Sequence, residues 1–273
     1  MSALALTALV RGFLDGDPAA ARALAATPRA AAVAAVRRCV VRAVHEHNQF
    51  AVVAAATVAG LEADLATALA AIASGADVGA TLATERAARA ARLPSAPPPV
   101  TCASYAPTLQ LDLLGLDPAS LRGPVLDVGC GPGALLVVAL RAAGHDAHGV
   151  DRHLDAPGPW TRELDWADPA VATGTWGTIL SHQALTLHLL HHHAAGAVAE
   201  ARAAARTFAA LAHALAPGGT LACVPGAPMV ERALPATFTR ERRPLPDELE
   251  AALAPLSRAV GEDVAYASVV RRR

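Results

Sequence analysis

The chain has 273 residues, 53% of them hydrophobic and largely alanine, 3% aromatic, and its formal net charge is −1. That length allows one large domain or two small ones with a substantial core, the alanine favours helices, and the balanced charge excludes a general polyanion-binding surface. Four cysteines, Cys39, Cys102, Cys130 and Cys223, show no CxxC spacing, which excludes a disulfide framework or a zinc ribbon and suits a reducing compartment.

Residues 3–14 read as a short helix. They are apolar without a preceding basic region, and Arg11 and Asp15 argue against a signal peptide. No uncharged run reaches the roughly 18 residues that span a bilayer. The expectation is a soluble cytoplasmic protein that engages neither nucleic acid nor membrane. Asp17-Pro18 and Thr27-Pro28 are helix starts, and the pattern then runs helical, with a break, to about Ala73. Ser74–Asp77 is a turn. A further helix to about Leu93 carries Glu85, Arg86, Arg89 and Arg92 on a polar face.

One patch in this third is unusual. His45, Glu46, His47, Asn48 and Gln49 interrupt a strongly apolar helix. They form either an exposed strip or a cleft that holds a polar substrate, with His45, His47 and Asn48 as substrate-binding candidates. His45 and His47 are two apart, so on a helix they diverge and make a poor metal pair.

Pro94 to Pro99 reads as a stiff linker. The predicted organisation is a helical lid over 1–93, a linker over 94–100 and a second domain over 101–273. Tyr105 precedes a helix start at Pro107 and is a further substrate-binding candidate.

In Pro124 to Gly133 a buried strand, Val125–Val128, runs into a turn where Gly129, Gly131 and Gly133 alternate with Cys130 and Pro132. Such a turn lets a ligand approach the backbone, and a helix over Ala134–Ala143 offers its first N–H groups. Strand two, Ala147–Val150, ends in Asp151, at the spacing where an acid reaches the hydroxyls of a ribose. A short third strand ends near Asp165, followed by Trp166. Asp165 suits an adenine amino group, and Trp166 suits either the ring or plain core. Strand four, Gly177–Leu180, ends in Ser181-His182-Gln183. A long helix over Leu185–Leu215 breaks near Gly196, and Ala216–Gly219 turns into strand five, Thr220–Val224. A helix over Pro246–Ala254 and a hairpin of strands, Leu256–Val260 and Val264–Val270, close the chain. Arg240, Arg242, Arg243 and Arg271–Arg273 read as solvated surface.

The run Leu126–Gly133, Asp151, Asp165-Trp166 and Leu215–Leu221, together spanning about residues 105–273, resembles the class I S-adenosylmethionine-dependent methyltransferases. The resemblance implies an α/β fold with a seven-stranded, mostly parallel sheet, an antiparallel last strand and helices on both faces. It implies that Gly129, Cys130, Gly131 and Gly133 line the cofactor S-adenosylmethionine. Asp127 would lie near its methionine amino group, Asp151 at the ribose and Asp165 with Trp166 at the adenine, with Arg152 and Ser181 also in contact with the cofactor. Ser181, His182 and Gln183 would sit where the sulfonium meets a small-molecule acceptor. A homodimer is compatible with this reading. A dinucleotide reading of Gly129, Gly131, Ala134 and Asp151 competes. The GxGxG spacing, the acid at Asp127 and the terminal hairpin count against it.

Methyl transfer is an in-line displacement, and a hydroxyl or ammonium acceptor needs a base, for which His182 is the candidate. His188, His191 and His192 share a helix face. They read as an exposed or interface cluster rather than a metal site, with His188 able to project toward the acceptor. Two alternatives stay open: a cyclase of the azetidine-2-carboxylate synthase kind, releasing methylthioadenosine, and a non-catalytic S-adenosylmethionine-binding partner subunit.

Overall fold

The computed structural model describes residues 3–51, 53–93, 105–166 and 168–273. The expected linker at Pro94–Pro99 lies outside them. The chain forms two compact units, Met1–Thr101 and Cys102–Arg273.

The first unit is helical: α1 (Ala3–Asp15), α2 (Pro18–Ala25), α3 (Arg29–His47), α4 (Ala55–Ala73) and α5 (Val78–Arg92). Asp17 and Asp77 cap α2 and α5 by accepting the Ala19 and Ala80 N–H groups at 2.8 and 2.7 Å. Leu61, Leu65 and Leu69 recur every four residues along α4 and pack with Phe13, Leu24 and Val36 in one core. Full burial of each such leucine is worth about 2 kcal/mol. By length and composition α4 could cross a membrane, with a mean hydropathy of 1.4. It nevertheless carries Glu62 and Asp64, which pair with Arg37 and Arg92 of neighbouring helices at 3.4 and 3.1 Å.

Three expectations in this unit need correction. The Thr27 hydroxyl does not cap α3; it donates to the Leu24 carbonyl at 2.7 Å and so closes α2. The polar patch does not interrupt a helix but ends one. Asn48 is buried and its Oδ1 accepts the Phe50 N–H at 2.9 Å, drawing the backbone away from the helical pattern. Glu85 is not on an exposed face: it is 5% exposed, 3.7 Å from Arg89, and burial raises its pKa.

The second unit is built on seven strands: β1 (Val125–Val128), β2 (Ala147–Asp151), β3 (Thr161–Glu163), β4 (Trp176–His182), β5 (Leu215–Val224), β6 (Phe238–Pro244) and β7 (Tyr266–Arg272). Their order is β3-β2-β1-β4-β5-β7-β6, and β7 runs antiparallel to both neighbours. Leu126, Val128, Ile179 and Leu221 point to one face, against α8 (Leu185–Ala194) and α9 (Val198–His213). Val125, Leu180, Ala222 and Val224 point to the other, against α6 (Pro107–Leu114), α7 (Leu135–Ala142) and α11 (Asp247–Val260). This is the mostly parallel sheet with an antiparallel last strand, covered on both sides, that the sequence resemblance implies.

The terminal hairpin differs from expectation. Leu256–Val260 is not a strand but the last part of α11, which continues through Pro255. The partner of β7 is β6, whose residues Thr239-Arg240-Glu241-Arg242-Arg243 read as charged surface because they form an edge strand. Its exposure alternates, and Glu241 pairs with Arg243 and Arg271 at 2.7 and 2.8 Å. Charge on an edge strand blocks pairing with other chains. β3 stops at Glu163, short of Asp165; Ser181 and His182 belong to β4 rather than following it; and the Ala216–Gly219 turn lies within β5, as an irregularity opposite Trp176–Thr178.

Candidate functional site at the carboxyl ends of β1, β2 and β4

β1, β2 and β4 are neighbours in register, with Asp127 opposite Gly149 and Leu180. Their carboxyl ends therefore gather Asp127, the glycine loop, Asp151 and His182. Open α/β sheets bind ligands at this edge.

The loop is shaped by its own hydrogen bonds. Gly129 and Cys130 both donate their N–H to the Val150 carbonyl, at 2.8 and 3.2 Å. Gly131 donates to Asp151 Oδ2 at 3.0 Å, and His153 donates to Oδ1 at 2.9 Å. These three loop amides are thus consumed within the protein. The amides of the first turn of α7 have no side-chain cap.

Gly129 has φ +82, and a Cβ there would collide with the Ala184 methyl and come within 3.2 Å of Trp166. Its role is close approach of the protein to itself. Gly133 does not use glycine's freedom. The left-handed residue at the end of the loop is Ala134, φ 46, and a Cβ at Gly133 would meet only Leu135 at 3.5 Å. Gln183, φ 47, is the other non-glycine residue in this region of backbone space among the described residues. Such positions cost of order 1–2 kcal/mol and cluster at functional sites. Gln183 is 8% exposed, and its N–H donates to Val224 at 2.7 Å. Cys130 does not line the loop's open side; its sulfur lies over Gly149 in the core, and burial raises its pKa far above the ordinary thiol range.

Asp127 is 2% exposed, and its Oδ2 has no hydrogen-bond partner. Burial first, and the Asp151 charge second, push its pKa up to about 7. Asp151 itself is raised by burial, against the lowering effect of the amides it accepts. Arg152, next to it, is lowered by burial. His182 stands on the same face as Leu180, two residues further along β4. It is 7% exposed, its Nε2 has no partner, and burial lowers its pKa to about 4. The Tyr105 ring meets it edge-on at 5.2 Å. A buried polar atom without a partner costs about 1–3 kcal/mol; among the described residues Thr186 Oγ1 and Ser268 Oγ are others, but Asp127 Oδ2 and His182 Nε2 are on neighbouring strands at this edge, where a ligand would satisfy both.

Other expected residues have different roles. Ser181 is fully buried and its Oγ accepts the Leu185 N–H at 3.1 Å, tying the end of β4 to the first residue of α8. Asp165 is exposed, and Trp166 is half-buried with its carbonyl accepting the Thr207 hydroxyl at 2.7 Å. Arg152 lies 5.8 Å over the Trp166 ring, and His188, 4% exposed, packs on that ring at 4.6 Å. His188 thus supports Trp166 instead of projecting toward an acceptor. His191 and His192 have their pKa lowered by burial, and no group of His, Cys, Asp and Glu among the described residues could hold a metal ion. His45 and His47 lie at the end of α3 in the first unit, half-buried and exposed respectively, beside the buried Asn48.

Sequence reading missed a second buried group at this edge of the sheet. Glu231, in α10 (Pro228–Glu231), is 3% exposed and accepts from Ala227 N–H at 2.8 Å and from the Tyr266 hydroxyl at 2.9 and 3.0 Å. Its two side chains are 35 residues apart, so no local pattern signals it. Ala184, which Gly129 accommodates, carries no sequence signal either. A cavity of about 300 Å³ opens between α8, α9 and α10, lined by Leu189, His192, Met229 and Val230 among others. Asp127, Asp151, Trp166 and His182 do not line it.

No protein-family model and no curated protein match the chain. Among solved structures it is similar to the plantazolicin methyltransferase BpumL in complex with SAH, at 12% identity over 55% of this chain and 76% of that one, TM-score 0.33. It is similar to TrmN from Thermus thermophilus, at 19% identity over 61% of this chain and 49% of that one, TM-score 0.35. It is also similar to SAM-bound CalS10, an amino pentose methyltransferase from Micromonospora echinaspora involved in calicheamicin biosynthesis. There the identity is 19% over 61% of this chain and 91% of that one, TM-score 0.33.

Proposed function

We propose that the Cys102–Arg273 unit binds S-adenosylmethionine at the carboxyl ends of β1, β2 and β4 and transfers its methyl group to a small molecule. The observation that carries this reading is the pair of buried, unpartnered atoms, Asp127 Oδ2 and His182 Nε2, beside a loop whose amides are already occupied. A site with two carboxylates, Asp127 and Asp151, suits a cationic nucleoside.

When bound, the cofactor supplies an electrophilic methyl group on a sulfonium. Asp127 Oδ2 would hold its ammonium group. Asp151 keeps its two backbone amides and accepts ribose hydroxyls with its remaining lone pairs. Arg152, Asp165 and Trp166 would border the base. Burial keeps His182 neutral through the physiological range, so its unpartnered Nε2 is placed to hydrogen-bond and orient a hydroxyl or amine acceptor. The net charge of −1 supports a small acceptor over a nucleic acid. The free thiols of Cys39, Cys130 and Cys223 support a cytoplasmic setting.

One observation favours a second reading. A carboxyl that titrates near 7 is suited to take a proton from an amine, as a cyclase acting on S-adenosylmethionine alone requires. Incubation of the pure protein with S-adenosylmethionine, with and without a panel of small hydroxyl and amine acceptors, separates the readings. S-adenosylhomocysteine formed only with an acceptor is the expected result. Methylthioadenosine formed without one would replace methyl transfer by cyclisation.

A further inference from the structure

We propose that the empty site carries a proton on Asp127 and releases it when a ligand cation arrives, so that cation binding here is coupled to proton release. The inference rests on the reading that this site takes S-adenosylmethionine, and it concerns how that site selects and regulates its ligand.

The geometry is that of a carboxyl built into apolar surroundings without a counter-charge. Asp127 lies mid-sheet between β2 and β4, 2% exposed, with Oδ2 unpartnered. The ionisable groups at this end of the sheet are Asp151 and Arg152 at the end of β2, Cys130 in the loop, His182 on β4 and Tyr105 ahead of α6, while His148 of β2 and Arg141 of α7 are partly exposed near Asp146, with which both pair. Asp151 is a second carboxylate and repels a charge on Asp127. Burial keeps His182 neutral, so it offers Asp127 no counter-charge. An ammonium group reaching Oδ2 supplies the missing positive charge and favours the ionised carboxylate. The proton then passes to solvent, and the balance is one proton lost for one cation gained.

Isothermal titration calorimetry of the full chain tests this with S-adenosylmethionine in phosphate and in bis-tris, at pH 6 and at pH 7. Expected is a buffer-dependent heat equal to nearly one proton released per ligand at pH 6 and about half a proton at pH 7, with the apparent Kd falling about fivefold between them. The uncharged nucleoside 5′-methylthioadenosine should bind without proton release. Asp127→Asn should abolish the release, and His182→Gln should leave it in place. Tight binding with no buffer dependence overturns the proton exchange and leaves the cofactor reading intact. Absence of binding under every condition overturns both. Release that survives Asp127→Asn, or disappears in His182→Gln, moves the proton to another group and overturns the assignment to Asp127.

Discussion

Asp127 lowers stability where it serves a ligand, and its pH dependence exposes this. Its folded-state pKa of about 7 lies above the unfolded carboxylate value near 3.8, so the folded state holds an extra proton between those limits. Stability therefore falls as pH rises from about 4 to 7 and stays low above. Asp127→Asn should raise stability by roughly 3–4 kcal/mol at pH 8 and by little at pH 4, measured by urea denaturation, while weakening ligand binding at least tenfold. His182 acts in the opposite direction. Its folded pKa of about 4 lies below the unfolded 6.5, so stability is lost as pH falls through that window, by roughly 3 kcal/mol in all. His182→Gln should remove that part of the acid slope. Glycine residues of the loop divide by the same physical reasoning. Gly129→Ala places a methyl inside Ala184 at φ +82 and should cost 3 kcal/mol or more, on the order of an overpacked core site, in a thermal melt. Gly133→Ala should cost about 1 kcal/mol or less, since its Cβ meets only Leu135.

At the scale of elements, the strand–loop–helix of β1 and α7 was legible because glycine, a buried strand and an apolar helix each leave a local pattern. β6 was not, because an edge strand facing water reads as a solvated charge run. Leu256–Val260 misled for the converse reason. An apolar run after Pro255 looks like a new strand, yet the helix tolerates the proline and continues to Gly261. The loop after β5 is fixed by Glu231, which joins Ala227 to Tyr266 of β7. Glu231→Ala should leave a buried amide and a buried phenol unsatisfied and cost about 2–4 kcal/mol in chemical denaturation. Glu231→Gln, which can still accept from both donors, should cost less.

At the scale of the molecule, each compact unit has its own core. Phe13, Leu24, Val36, Leu61 and Leu65 form one, and the two faces of the seven-stranded sheet form the others. The fragment Cys102–Arg273 expressed alone should therefore melt cooperatively and retain S-adenosylmethionine binding by calorimetry. A fragment that aggregates would show that the sheet unit depends on the helices. The sequence by itself determined the class of the fold and the place of the strand, glycine loop and helix at its centre. These are written in short-range patterns: strand ends, turn residues and helix caps within a few positions of each other. Only the tertiary structure decided which side chains are buried without a partner, that Ser181 bonds the Leu185 amide, that Cys130 turns into the core and that His188 backs Trp166. Burial and hydrogen-bond satisfaction are set by what other segments bring to a residue, and no local pattern encodes that.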